Sequence, residues 1–270
     1  PHTLVQDAQR HGVVVLSPDV NASKAKATLE PCDNSAGGFA LRLGISSVRG
    51  IGGDLAKSIE AARPFTSMED LVRRVPQISL SQIETLATAG AYSQCFEISR
   101  RDALWSAGAV IQSRPERLAG VTTGSDSPQL PGMQPIEKSI CDLWSTGISI
   151  DGHPTHFVRS QLSQLGVVVA SELPKVENGS KIFVGGVITH RQRPSTSRGV
   201  TFFSLEDETG LINVVVSQGC FKRFRHEAIN ASALLVRGRI ESSQGVVNII
   251  AEHLSELKIA TRGVSSRDFR

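Results

Sequence analysis

Apolar positions in this chain change their period once, near residue 180. Before that point they recur mainly at three- and four-residue spacing, as on helices packed by one face. Beyond it they alternate, as on strands buried on one side. Ile45, Val48, Ile51, Leu55 and Ile59 follow the helical spacing. Ser67 with Asp70 and Ser81 with Glu84 have the spacing of capping boxes and predict two short helices separated by Pro76. Ser99 with Asp102 opens another, carrying Leu104, Trp105 and Val110, with Trp105 expected in the core. Pro135 fits the first position of a helix with Ile136, Ile140, Leu143 and Trp144 on one side, stopped by Gly147. A further helix is expected from Thr155 to Leu165. Nearer the start, Leu4, Val5 and Ala8 predict a short helix, Val13–Leu16 a buried strand, and Phe39, Leu41 and Leu43 an alternating one.

In the alternating region the candidate strands are Lys181–Thr189, Val200–Glu206, Leu211–Ser217, Leu234–Ile240 and Val246–Ala251. A helix over Phe221–Ile229 separates the third from the fourth. Five strands with one helix after the third is the element order of an OB-fold barrel. Gly185 and Gly186 permit the sharp coil that a small barrel needs in its first strand. Phe202 and Phe203 are neighbours on one strand, so one faces the core and the other faces out.

The helical region contains Ser47-Val48-Arg49-Gly50-Ile51-Gly52-Gly53, followed one turn later by Ala56 and Lys57. Two glycines around an apolar residue allow a tight reversal with positive φ and leave no side chain in the way of a close ligand. The helix that follows starts with unpaired N–H groups and a positive dipole end, both suited to phosphate. This segment resembles the helix-hairpin-helix, a module that grips DNA through its backbone. The expected contacts are Arg49, Gly50, Ile51, Gly52, Gly53 and Lys57. The fold class that follows is α+β and multidomain: a helical helix-hairpin-helix domain, then a five-stranded OB-fold β-barrel.

Composition narrows the picture. A net charge of +3 over 270 residues excludes a histone-like or purely basic chain. Cys32, Cys95, Cys141 and Cys220 are too scattered for a zinc knuckle or a Cys-x-x-Cys pair and suggest a reducing cytoplasm. No apolar run approaches the ~20 residues of a membrane span. His153 and His156 are three apart, a weak metal spacing without a third ligand nearby, and Glu206-Asp207-Glu208 reads as a polar turn. The chain starts at Pro1 and is expected to be a piece of something longer.

The ordered set of motifs is more specific than any one of them. Val15-Leu16-Ser17-Pro18-Asp19-Val20-Asn21, Leu41-Arg42-Leu43-Gly44, Ala89-Gly90-Ala91 and Ser99-Arg100-Arg101-Asp102 flank the glycine hairpin on both sides. Thr189-His190-Arg191-Gln192-Arg193-Pro194, Leu205-Glu206-Asp207-Glu208-Thr209-Gly210 and Ser266-Arg267-Asp268-Phe269-Arg270 complete the set. Together they resemble the C-terminal region of bacterial C-family DNA polymerases, the DNA polymerase III alpha type, and within it the damage-inducible error-prone branch.

The resemblance implies a layout. Residues 1–43 would end an upstream fingers-type domain, 44–112 form the helix-hairpin-helix domain, 113–134 a linker, and 135–179 a helical spacer. Residues 180–258 would form the nucleic-acid-binding OB-fold and 259–270 a loose tail. The expected barrel contacts are His190, Arg191, Arg193, Arg198, Phe202, Arg237 and Arg239. The resemblance implies no cofactor in this chain, with divalent metal (Mg) in a palm domain whose paired aspartates have no Asp-x-Asp counterpart here. It implies duplex and single-stranded DNA as partners and no membrane. Gln129-Leu130-Pro131-Gly132-Met133 departs from the sliding-clamp motif of such polymerases, so clamp contact is expected through an accessory polymerase-like protein. Two other readings stay open at this stage: an RNA-binding OB-fold of the tRNA-synthetase type, and a non-catalytic docking adaptor.

Overall fold

The computed structural model describes residues 2–113, 127–128, 130–194, 199–243, 245–258 and 267–269. Most of the expected linker, the tip of the first barrel loop with Arg198, Gln129 of the clamp-like stretch, and most of the tail lie outside the described residues. The chain divides into two compact units, Pro1–Ile150 and Asp151–Arg270.

The first unit begins with α1 (His2–Arg10) and a small sheet of β1 (Val15–Leu16), β2 (Thr28–Pro31) and β3 (Phe39–Arg42). In it β3 lies between β1, which is parallel to it, and β2, which is antiparallel. The helices follow: α2 (Gly53–Ala62), α3 (Met68–Arg74), α4 (Leu80–Thr88), α5 (Arg100–Val110) and α6 (Pro135–Thr146). Val20 and Ala25 belong to the same buried cluster as Ile45, Ile59, Leu71 and Ile83. Val15 and Leu43 pack with Ile148 in a small cluster of their own, whereas Val20 and Ala25 complete the helical core, so residues 20–25 do not stand apart from it. Polar contacts fasten them: Asn21 exchanges two hydrogen bonds with the backbone of Phe65, and Arg63 donates to the carbonyls of Asn21, Ala22 and Ser23.

Four expectations for this unit need correction. On β3 it is Ala40 and Arg42 that are buried, while Phe39 is 50% exposed. Arg42 tolerates burial because Glu30 and the Ser17 carbonyl take its guanidinium. The capping box of α4 is Ser79 with Gln82, two residues before the expected one, because Gln82 returns to the Ser79 N–H at 2.9 Å. Trp105 is 53% exposed, since the buried stripe of α5 runs through Ala103, Ala107 and Val110 and leaves position 105 facing out. Finally, α6 belongs to the first unit and not to a separate spacer. Arg100 reaches Asp142 of α6 at 2.7 Å and the Lys138 carbonyl at 3.2 Å. Gly90 makes room for it, since a Cβ there would lie 2.8 Å from the Arg100 Nε.

The second unit opens with α7 (Pro154–Phe157) and α8 (Arg159–Gln164), two pieces in place of the one helix expected. A 3-10 turn over Ala170–Lys175 leads into β4 (Lys181–Gln192), β5 (Thr201–Glu206) and β6 (Leu211–Val216). Two short helices, α9 (Gln218–Arg223) and α10 (Arg225–Asn230), stand where a single one was expected, and β7 (Ala233–Ser243) and β8 (Val246–Glu256) follow. β4 pairs with β5, β5 with β6, β6 with β8 in parallel, β8 with β7, and β7 with β4, so the ring closes on itself. Closure brings β4 and β5 so near that a Cβ on Gly186 would lie 2.5 Å from the Glu206 carbonyl oxygen. The tail is not wholly loose: β9 (Arg267–Phe269) runs parallel to His190–Gln192.

The acidic turn after β5 ties α7, α8 and the 3-10 turn to the barrel. Asp207 is 1% exposed and accepts from the N–H groups of Ala170, Thr209 and Gly210. Glu208 takes Arg159 with both oxygens and accepts the Thr155 hydroxyl. His153 is the N-cap of α7, its Nδ1 accepting from the Thr155 N–H at 3.3 Å. These groups serve structure. Burial alone would push the Glu208 carboxyl up, but hydrogen bonds from Arg159 and Thr155 outweigh it and hold the group at about 2. A depressed carboxyl contributes stability that is complete above its unfolded value and lost as pH falls through its folded one. The thermal midpoint of this unit is therefore expected to drop as pH falls from 4.5 to about 2. The Glu208→Gln variant should show a shallower drop over the same window, read by circular dichroism.

Candidate nucleic-acid interface

The glycine hairpin is built from a 3-10 turn over Ile45–Ser47, a reversal at Val48–Gly52, and α2. Only Gly50 is left-handed, at φ 75; Gly52 sits at φ −71 and ψ 161 as the N-cap of α2. Ile51 is 5% exposed and plugs the loop into the core, so its side chain anchors and only its backbone faces out. The loop is braced from behind: Gln82 Nε2 donates to the Gly50 carbonyl at 3.0 Å, and the Arg49 N–H donates to the Ser145 carbonyl at 2.7 Å. The Arg49 guanidinium lies over the Trp144 ring, 5.0 Å from its centroid.

What remains in front is open. No side chain caps α2, and a Cβ added at Gly50, Gly52 or Gly53 would meet nothing within 4 Å. First-turn N–H groups of a helix lack intrahelical partners and favour an anion. Lys57 is exposed beside them but lies 3.8 Å from Asp54, an acid in the same first turn. Its charge is therefore partly offset, and the peptide N–H groups are the stronger feature.

On the barrel, the structure separates the expected cations. Arg191 is not a groove residue: its Nε donates to the Ala228 carbonyl at 2.9 Å, its other end reaches the Ala231 carbonyl, and its carbon lies 5.9 Å from the Phe203 ring centre. The cation is held at the C-terminal end of α10, where helix carbonyls attract it. His190 is half-buried, with Nδ1 3.2 Å from the Thr189 hydroxyl. Arg193 is exposed and lies over Phe221 at 5.2 Å. Arg237 and Arg239 are exposed on β7, and Arg239 shares Glu252 with Lys181 at 3.9 and 3.7 Å.

Phe203 is 1% exposed and Phe202 40%, so the ring facing outward is Phe202. Strand register places Phe202 beside Val215, and Val215 beside Ile250. The next row holds Ser204, Asn213 and Asn248. The outer face of β5, β6 and β8 thus offers one ring and two apolar contacts next to two amides and a hydroxyl, with no charge in either row on these three strands; on β7 the two rows continue to Arg239 and Glu241. Rings and apolar side chains stack on bases, and amides read base edges. Sequence reasoning missed Asn213, Val215, Asn248 and Ile250, although the outward alternation of 211, 213 and 215 on β6 carried the signal.

Family comparison fits this geometry. Residues 12–103 match the model described as a helix-hairpin-helix motif, and residues 182–257 match an OB-fold nucleic acid binding domain. The chain is 49% identical over its full length to an error-prone DNA polymerase from Mycolicibacterium paratuberculosis and 48% identical to one from Mycobacterium tuberculosis H37Rv. In both cases it spans 24% of the relative's length, about a quarter of each curated protein. Among solved structures, an asparaginyl-tRNA synthetase from Pyrococcus horikoshii aligns over 33% of this chain and 22% of its own, with 21% identity and a TM-score of 0.29, too low a score to bear on function.

Arg191 gives a direct check on the barrel. Arg191→Ala removes charged hydrogen bonds to two helix-end carbonyls and is expected to cost about 2 kcal/mol of stability in chemical denaturation followed by circular dichroism. Arg193→Ala, on an exposed side chain, should leave the midpoint where it is. Across its whole length, the chain is similar to a segment of error-prone DNA polymerases, and it carries the helix-hairpin-helix and OB-fold matches within that length.

Proposed function

We propose that this chain is the DNA-holding C-terminal portion of an error-prone DNA polymerase working in damage-induced translesion synthesis in the cytoplasm. The hairpin grips duplex phosphates through the peptide N–H groups of Gly52, Gly53 and the rest of the first turn of α2. The outer face around Phe202 holds single-stranded template by stacking. Nucleotidyl transfer itself belongs to palm carboxylates and Mg elsewhere in the longer protein, and contact with the sliding clamp runs through an accessory protein. The observation that supports this reading most strongly is the uncapped, unobstructed start of α2 in a chain similar over its full length to error-prone polymerases.

Gly52 permits a clean test. Its backbone is in a region open to any residue, and a side chain there meets no protein atom, so Gly52→Val costs the fold little beyond the weaker N-cap, about 1 kcal/mol. The same side chain blocks a phosphate. Duplex affinity is expected to fall about ten-fold, the equivalent of one lost hydrogen bond to a charged group of about 1.5 kcal/mol. The loss should be the same for unrelated sequences, because phosphate contacts carry no base information. Unchanged affinity in a folded variant, measured by fluorescence anisotropy at low salt, removes the hairpin from the binding site. The chain on its own is expected to add no nucleotide to a primed template.

A further inference from the structure

The barrel unit concentrates cations at a second place, beyond the uncharged rows of β5, β6 and β8. Arg191, fastened to the Ala228 and Ala231 carbonyls, lays the end of β4 along α9 and α10. Two residues later Arg193 emerges over the Phe221 ring of α9. Lys222 and Arg223 are exposed in the last turn of α9, and Arg225, also exposed, opens α10. Between the two helices Phe224 turns its ring onto His253 of β8, with centroids 4.5 Å apart. His253 is the register partner of Arg237, and Arg237 of Phe183, which is 37% exposed. Directly opposed residues on neighbouring strands share a face, so the cations on the helices continue onto β7 and β4.

Charge balance marks the limits of this band. Glu252 closes one edge by engaging Lys181 and Arg239. Glu227, half-buried, is the one carboxylate on α9 and α10. Among the described residues no carboxylate lies within ion-pair distance of Lys222, Arg223, Arg225 or Arg237. Neighbouring unpaired cations repel one another, and a chain of phosphates relieves that repulsion while releasing its own counterions. Phe183, 37% exposed, and the exposed His253 lie among the cations, and rings beside a basic track hold unpaired bases. A rigid duplex offers no bases to those rings.

We propose that this band, on the α9–α10 side of the barrel, is a second track for single-stranded nucleic acid, which adjoins the Phe202 row through Ile250 and Arg239. It adds a site to the function proposed above and does not depend on the hairpin.

The test titrates the full chain with a labelled oligothymidylate of about 20 nucleotides, long enough for more than one site of ~4–16 nucleotides, over a series of salt concentrations. The Lys222→Ala, Arg223→Ala, Arg225→Ala triple variant should bind more weakly. Its log-affinity should also fall less steeply with log salt, by about 2, at ~0.7 for each of three phosphate contacts. Combined with Phe202→Ala, the two losses should add. The parent slope retained in the folded triple variant overturns the proposal, as does a loss that disappears in the Phe202→Ala background. Should the triple variant melt early, Arg237→Gln reads the same band from a strand, with an expected slope change of about 0.7. Polyglutamate displacing the oligonucleotide at equal charge would assign the band to an acidic protein surface and also overturn it.

Discussion

Closure of the five-stranded ring requires β4 to pair with β7 along its first half and with β5 along its second. The strand coils sharply between the two partners, and at that point Gly186 passes under the Glu206 carbonyl with no room for a side chain. Everything else in the unit follows from this coil. It turns Val184 and Ile188 inward to join Phe203, Leu205 and Ile249 in one core. It sends the end of β4 towards α10, where Arg191 can reach helix carbonyls. It also gives β5 and β6 an outer face of their own, on which Phe202 is the exposed ring. A larger residue at position 186 would open the ring and dissolve core, helix anchor and binding face together.

The first unit approaches phosphate by different means. Its hairpin offers peptide N–H groups in place of cationic side chains, and its rigidity comes from behind: Ile51 in the core, Gln82 on the Gly50 carbonyl, and α6 against Arg49. Asp54 in the first turn of α2 and its neighbour Lys57 partly offset one another. Binding by such a loop has a small electrostatic component and a strict steric one. The barrel reverses that balance on its α9–α10 side, where charge is plentiful.

Much of this fold was legible in sequence because it rests on local rules. Each of the five strands starts within about one residue of its expected place, although β8 runs on to Glu256, and the hairpin falls where Gly50 and Gly52 put it. The misreadings have physical causes that local patterns do not carry. A helix period counted across Phe221–Ile229 cannot register the break at Phe224, whose ring is drawn to His253 on a later strand. Arg191 looked like a groove cation because its partners are backbone carbonyls 37 and 40 residues away, which leave no mark on composition. Trp105 is hydrophobic enough to predict a core position, whereas the helix buries Ala103, Ala107 and Val110 instead. The binding face was half visible: Phe202 announced itself, but the amides of Asn213 and Asn248 meet only through strand register.

The claim at the centre of this account is that peptide N–H groups at the start of α2 touch nucleic-acid phosphate. Amide chemical-shift perturbation reads those groups directly. On titrating an isotope-labelled chain with a short duplex, the amides of Gly52, Gly53, Asp54 and Leu55 should move first and furthest, in the same direction for duplexes of unrelated sequence. Shifts confined to the barrel, with these four amides unmoved at saturation, would contradict it.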